Sequence, residues 1–178
     1  GSNSKLLSGE FTKELSGRYV AFRIRPFVYK EICAYCEELG KTPSVTDYLI
    51  WGGFPKRFEF SSPQARDRYL NDLNDTIVLN DLIGRYKIRK REFFENLTNY
   101  ILRSNARIFS ANSVHDYLRR ERETCSVNTI IKYLGYLEEA YIVERIKPYS
   151  SKTKSELSYY SKIYNADVCF NSMRCMGE

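Results

Sequence analysis

Residues 126–146 read SVNTIIKYLGYLEEAYIVERI, and their pattern is the clearest indication of the architecture of the second half of the chain. Cys125 or Ser126 can cap a helix whose apolar residues recur at three- and four-residue spacing. The segment Tyr141–Ile146 is β-branched and aromatic, which is typical of a strand. The stretch therefore predicts a helix that is followed closely by a strand.

The sequence on either side extends this pattern. Upstream, helical spacing covers Lys90–Ser104 and Asn112–Arg122, with a short extended piece at Arg107–Ser110. Downstream, a polar turn at Pro148–Ser155 precedes a second strand at Leu157–Tyr164. The order helix, short strand, helix, helix, strand, turn, strand is that of a winged helix-turn-helix.

The first half reads as almost entirely helical after one strand at Tyr19–Ile24. Helical spacing covers Phe27–Leu39 and Val45–Ile50, and a long helix begins at Ser61 or Ser62 and runs to about Ile83, where Gly84 breaks the pattern. The predicted fold class is therefore mainly α, of the α+β type.

Charge divides the chain of 178 residues unevenly. Residues 1–84 carry 11 Lys and Arg against 11 Asp and Glu, whereas residues 85–178 carry 17 against 11, which is the whole net charge of +6. Two modules are expected, with a boundary near Gly84. The basic module has either an anionic partner such as nucleic acid or a solvated basic face.

Cysteine usage predicts a reducing compartment, hence the cytoplasm, because five cysteines do not form a paired disulfide scaffold. Cys33 and Cys36 form one C-x-x-C inside a predicted helix, and His115 is the only histidine. A zinc site would need two more ligands beside the C-x-x-C pair, so no metal site is predicted. No apolar run is long enough to cross a bilayer.

The sequence presents no catalytic set. It contains neither a phosphate-binding loop nor a Gly-rich dinucleotide loop. His115 has no evident nucleophile partner, and the pairs Glu37-Glu38 and Glu138-Glu139 are adjacent helical residues that point apart. We therefore expect no enzymatic activity and no cofactor from the residues present.

A series of short motifs runs through nearly the whole chain. They are GSNSKLLS at 1–8, LSGRY at 15–19, Pro26-Phe27, GGFP at 52–55, Tyr69-Leu70, Asp81-Leu82, YLGYLE at 133–138, KPY at 147–149 and KIYNAD at 162–167. In this order they resemble a family of prokaryotic AAA+ ATPases that carry a C-terminal domain of unknown function.

This resemblance implies that the chain is the C-terminal part of an ATPase that uses ATP and magnesium, with the phosphate loop preceding Gly1. Residues 1–26 would end the ATPase core, 27–84 would form a helical lid, 85–167 the winged helix and 168–178 a loosely packed tail. Family members often continue into a nuclease-like domain.

The resemblance also implies residue roles. Asn3 matches a polar sensor residue that orients the attacking water, and Arg18 resembles an arginine finger that reaches the γ-phosphate in a neighbouring subunit. Lys56 or Arg57 could contact nucleotide from the lid.

Three functions stay open at this stage. The winged helix could bind double-stranded DNA weakly and without sharp sequence preference, it could be a protein-interaction adaptor, or it could be a spacer that transmits nucleotide state. Glu138 and Glu139 would repel phosphate and so favour the adaptor. The expected DNA contacts are four outward residues of the third helix, Asn128, Thr129, Lys132 and Tyr136, and three lysines of the wing, Lys147, Lys152 and Lys154.

Overall fold

The structure is a computed structural model, and it describes residues 22–75, 81–121, 124–147 and 160–172. These residues form a mainly helical fold with one small antiparallel sheet. The α+β class that the sequence predicts is therefore confirmed.

Short helices make up the described part of the first half. Serine caps explain two of the starts, since the Ser44 side chain accepts a hydrogen bond from the Asp47 N–H and the Ser62 side chain accepts one from the Ala65 N–H. The helices are α1 (Tyr29–Glu38), α2 (Val45–Trp51), a 3₁₀ helix (Pro55–Glu59), α3 (Pro63–Asn74) and α4 (Ile83–Tyr86).

Two predictions for this half are wrong where the structure describes them. Residues 22–24 of the predicted first strand pair with no other strand, and the side chains of Arg23 and Arg25 bind Glu144 instead. Gly84 does not break a helix but lies inside α4, where an added Cβ would meet open space. Helix α4 ends instead at Lys87, which adopts the left-handed conformation with φ 49°.

The second half follows the predicted order of elements. Helix α5 (Arg91–Arg103) precedes strand β1 (Ile108–Phe109) and helix α6 (Ala111–Arg120). Then come helix α7 (Val127–Glu139) and the strands β2 (Val143–Ile146) and β3 (Ser161–Asn165). The sheet order is β1-β3-β2, and both pairings are antiparallel.

One hydrophobic cluster joins the two halves. Leu70 and Leu82, which precede the predicted boundary at Gly84, are buried together with residues of α5, α7 and β3 such as Phe94, Leu134 and Ile163. The boundary therefore separates two ranges that differ in charge but share a core. Whether it also separates two domains stays a prediction.

The predicted loose tail is wrong for residues 168–172. A short helix, α8 (Cys169–Ser172), buries Cys169 and Phe170. The Phe170 ring packs edge-on against Phe54, with centroids 6.0 Å apart, and the Ser172 hydroxyl donates a hydrogen bond to the Ile50 carbonyl. These apolar side chains stabilise the segment because they fill the core beside α2. Residues 173–178 lie outside the described part.

Candidate nucleic-acid interface

The exposed face of α7 is narrow and polar. Ser126 caps the helix, because its side chain accepts a hydrogen bond from the Thr129 N–H at 3.2 Å. One side of the helix buries Ile130, Leu134 and Leu137 against the core. Asn128 and Lys132 are exposed, and their spacing of four residues places them one turn apart on the other side. These two side chains could contact a base edge and a phosphate.

Thr129 lies at the edge of this face and takes part in the helix cap through hydrogen bonds with Ser126. Its side chain is half-buried, and its hydroxyl lies 2.9 Å from the Ser126 hydroxyl. The cap therefore holds both hydroxyls in position at the start of α7. A contact between Thr129 and a partner would compete with this hydrogen bond.

The expectation that Tyr136 points outward is wrong. Tyr136 is buried, and its ring stacks on Tyr86 of α4 with centroids 3.5 Å apart and an interplanar angle of 6°. Stacking the two rings against each other is more favourable in free energy than exposing either ring to water. Lys132 extends over the same ring, with its Nζ 5.9 Å from the Tyr136 centroid. Tyr136 thus lies beneath the lysine and offers no exposed ring to a partner.

The two glutamates near the end of α7 both have partners within the fold. Arg145 donates hydrogen bonds to both Glu138 carboxylate oxygens, at 3.2 and 2.9 Å, and the Tyr86 hydroxyl donates to Glu139. Burial raises the pKa of the Glu138 carboxyl, which Arg145 opposes only in part. Sequence analysis missed these pairings because the partners lie on β2 and α4. The expected repulsion of phosphate is correspondingly weaker.

A run of basic residues before α5 is the feature that sequence analysis missed. Residues 85–91 read RYKIRKR, and five basic residues in seven could have drawn attention to it. Lys90 donates a hydrogen bond from Nζ to the Thr124 carbonyl at 3.0 Å, so the run lies beside the start of α7. Arg85 pairs with Asp81 and Arg91 with Glu95. Arg89 is exposed and has no partner among the described residues.

The structure describes only part of the predicted wing and neither of the predicted catalytic residues, Asn3 and Arg18. Lys147 is exposed immediately after β2. Lys152 and Lys154 lie in residues 148–159, which are outside the described part. Asn3 and Arg18 also lie outside it, in residues 1–21. Their predicted roles stay predictions.

Lys56 and Arg57, the predicted nucleotide contacts, lie in opposite environments. Lys56 is exposed, whereas Arg57 is only 2% exposed and stacks its guanidinium 4.3 Å from the centroid of the Phe58 ring. The buried Arg57 Nε has no hydrogen-bond partner, and burial lowers the pKa of the guanidinium. Arg57 therefore offers no exposed guanidinium to a nucleotide in this conformation.

The four described cysteines and His115 do not form a common metal site. Cys33, Cys36, Cys125 and Cys169 are free thiols, and His115 is half-buried beside Asp116. Across the four described ranges, no three histidine, cysteine or acidic side chains are arranged to hold a metal ion. None of the helices described here has the length and apolar character that spanning a membrane requires.

Comparison with known proteins gives a family but no activity. Residues 42–173 match the family described as "Domain of unknown function (DUF8612)", and the chain therefore belongs to that family. The match crosses the predicted boundary at Gly84. No solved structure matches the chain.

Two curated relatives are similar over almost the whole chain. An uncharacterized protein of Haemophilus influenzae is 30% identical over 172 residues, which is 94% of this chain and 42% of the relative. An uncharacterized protein of Methanocaldococcus jannaschii is 27% identical over 182 residues, 96% of this chain and 41% of the relative. The chain thus spans about two fifths of the length of both relatives.

Proposed function

We propose that the chain is the C-terminal portion of an AAA+ ATPase, in which residues 27–84 form a lid and residues 85–167 a winged helix that binds duplex DNA weakly. The ATPase assignment rests on the ordered motifs in the sequence. The winged-helix assignment is supported by the element order α5-β1-α6-α7-β2-β3 and by the sheet order β1-β3-β2.

The observation that carries the DNA proposal is the exposure of Asn128 and Lys132 one turn apart on α7, beside a cap that fixes the start of the helix. A helix that follows a tight turn is the element that enters the major groove in helix-turn-helix proteins. One lysine and one amide offer little base discrimination, which favours sequence-tolerant binding.

Electrostatics support the same proposal. The second half carries the whole net charge of +6, and Lys90 is anchored beside the start of α7. Glu138 and Glu139 are occupied by Arg145 and Tyr86, so the acidic end of α7 opposes DNA less than its sequence indicates. Attraction to phosphate would then supply most of the affinity.

A salt titration of duplex binding tests this proposal. We expect the affinity of the 178-residue chain for a labelled duplex to fall linearly with salt on logarithmic axes, and Lys132→Ala to flatten the slope by about one unit. Replacing Lys152 and Lys154 together should flatten the slope by about two and weaken all sequences alike. Asn128→Ala should change the preference among sequences.

An exposed lysine on α1 provides the control. Lys30→Ala removes the same charge from the first half and should leave the slope unchanged. Absence of duplex binding at physiological salt, with the fold intact by circular dichroism, would refute the DNA proposal. The adaptor function is then the alternative, and the groove described below favours it.

A further inference from the structure

A groove of about 840 Å³ lies between α5 and α6, and neither Asn128 nor Lys132 is among its lining residues. Its lining includes the apolar side chains of Phe93, Leu97, Val114 and Leu118. Clefts of this size and chemistry are typical of binding sites and not of ordinary surface. Leu97 and Val114 are buried in the core, whereas Phe93 and Leu118 are half-buried at its edge, where the groove opens.

Two tyrosines that line the groove are largely exposed. Tyr100 on α5 is 51% exposed and Tyr117 on α6 is 60% exposed. Tyrosine combines a large apolar surface with a hydroxyl, and it is enriched among the residues that dominate binding energy at protein interfaces. Two such rings lining one apolar groove are an arrangement that a partner would cover.

We infer that this groove binds an amphipathic helix of a partner protein, which places its apolar side chains between α5 and α6 and its carboxylates against residues 89–91. The inference goes beyond DNA binding by α7, because it concerns side chains of α5 and α6 and a different class of partner; of the residues cited for DNA binding, Lys90 alone also lines the groove. Helices commonly dock in this way, through apolar residues at the i, i+3, i+4 and i+7 positions.

Charge at one end of the groove determines the chemistry of the partner. Arg89, Lys90 and Arg91 line that end against the single acid Glu92. The same residues flank the start of α5, where the helix dipole is positive. Although Arg91 pairs with Glu95, the Arg89 guanidinium is exposed and has no partner among the described residues. A carboxylate at this end would be stabilised by both the side chains and the dipole.

The distribution of charge favours a helix over a single-stranded nucleic acid. A nucleic-acid strand carries a phosphate at every nucleotide, so its grooves are basic along their length. The wall from α6 contributes Ser113, Val114, Tyr117 and Leu118, none of which is charged. A strand in this groove would have cations at one end only.

Selection of peptides on the 178-residue chain tests the inference. A phage-displayed library of random peptides, about 16 residues long, should yield binders with net negative charge and apolar residues at helical spacing. By fluorescence anisotropy, the affinity of the best synthetic binder should fall at least tenfold for Tyr117→Ala and for Arg89→Glu. Tyr117 is mostly exposed, so the variant should keep the fold, as circular dichroism can verify.

Matched controls separate this site from the DNA surface. Tyr160→Ala removes a tyrosine of similar exposure elsewhere, 59% against 60%, and should leave peptide affinity unchanged. Lys132→Ala should weaken duplex binding without affecting the peptide. Failure to select any binder, selection of basic peptides, or a binder that tolerates Tyr117→Ala would each overturn the inference. Labelled oligothymidine that binds the chain and is lost with Tyr117→Ala would assign the groove to nucleic acid and likewise overturn it.

Discussion

The carboxylate of Asp167 accepts a hydrogen bond from the backbone N–H of Gly53, 114 positions earlier, at 2.8 Å inside the core. Its other oxygen accepts from the Cys169 N–H, also at 2.8 Å. Gly53 in turn accepts a hydrogen bond on its carbonyl from the Phe27 N–H at 2.9 Å. The GGFP motif and the KIYNAD motif, which both support the family resemblance, thus meet at one buried carboxylate that organises the structure.

Asp167→Ala should lower the free energy of unfolding by about 2–4 kcal/mol, because it leaves two buried N–H groups without an acceptor. Denaturant unfolding measures this. Asp72→Ala, at an exposed position on α3, should change stability by less than about 0.5 kcal/mol. Equal stability of the two variants would show that the Asp167 contacts do not support the fold.

Gly52→Ala should destabilise the protein by at least about 2 kcal/mol. Gly52 has φ 70°, and an added Cβ would lie 1.7 Å from the Asp167 carboxylate oxygen. Gly135, inside α7, has open space at the same position, and Gly135→Ala should raise stability by about 0.5–1 kcal/mol. Thermal melting of the two variants compares them, and a shift in the same direction would contradict the prediction.

Arg57→Met should stabilise the protein by about 1–3 kcal/mol, because methionine fills the site without leaving a buried donor, Nε, unsatisfied. Arg57→Ala should destabilise it instead, through the cavity left behind. Lys56→Met changes an exposed neighbour and should have little effect. If Arg57→Met unfolds as readily as Arg57→Ala, the contact of the Arg57 guanidinium with the Phe58 ring stabilises the fold by more than the unsatisfied Nε costs.

Tyr86 should make the free energy of unfolding decrease at alkaline pH. Burial first, and then the hydrogen bond to Glu139, raise the pKa of Tyr86 to about 12 from the ordinary value of 10. The raised pKa adds to the free energy of unfolding, fully below about pH 10 and progressively less as the pH rises toward about 12. The reason is that Tyr86 loses its proton at a lower pH in the unfolded state than in the folded state. Urea unfolding should show wild type losing stability relative to Tyr86→Phe across this window. Parallel pH profiles would be inconsistent with the raised pKa.

Arg18→Ala in the full-length protein tests the proposed ATPase role. We expect nucleotide binding close to that of wild type and a loss of turnover of about 10³- to 10⁵-fold, because an arginine finger acts on charge that develops in the transition state. Steady-state turnover and nucleotide affinity separate the two effects. Turnover equal to that of wild type would make Arg18 an ordinary surface residue.

Local sequence signals predicted much of the second half. The periodicity of α5, α6 and α7, the cap at Ser126 and the β-branched run into β2 are set by neighbours within a few residues, which is the range that a pattern can report. The same signals predicted the exposure of Asn128 and Lys132 correctly. They failed for Tyr136, because the residue that covers it, Tyr86, is 50 positions away.

Composition and short-range spacing were enough to establish the class of the fold, the order of its elements in the second half and the excess of positive charge there. Which polar groups remain available to a partner depends instead on contacts between residues far apart in the sequence. Glu138 pairs with Arg145, and Glu139 accepts a hydrogen bond from Tyr86. The buried Asp167 carboxylate accepts one from the Gly53 N–H. The groove between α5 and α6 likewise exists only once the helices pack, because it belongs to their relative placement and not to either helix alone.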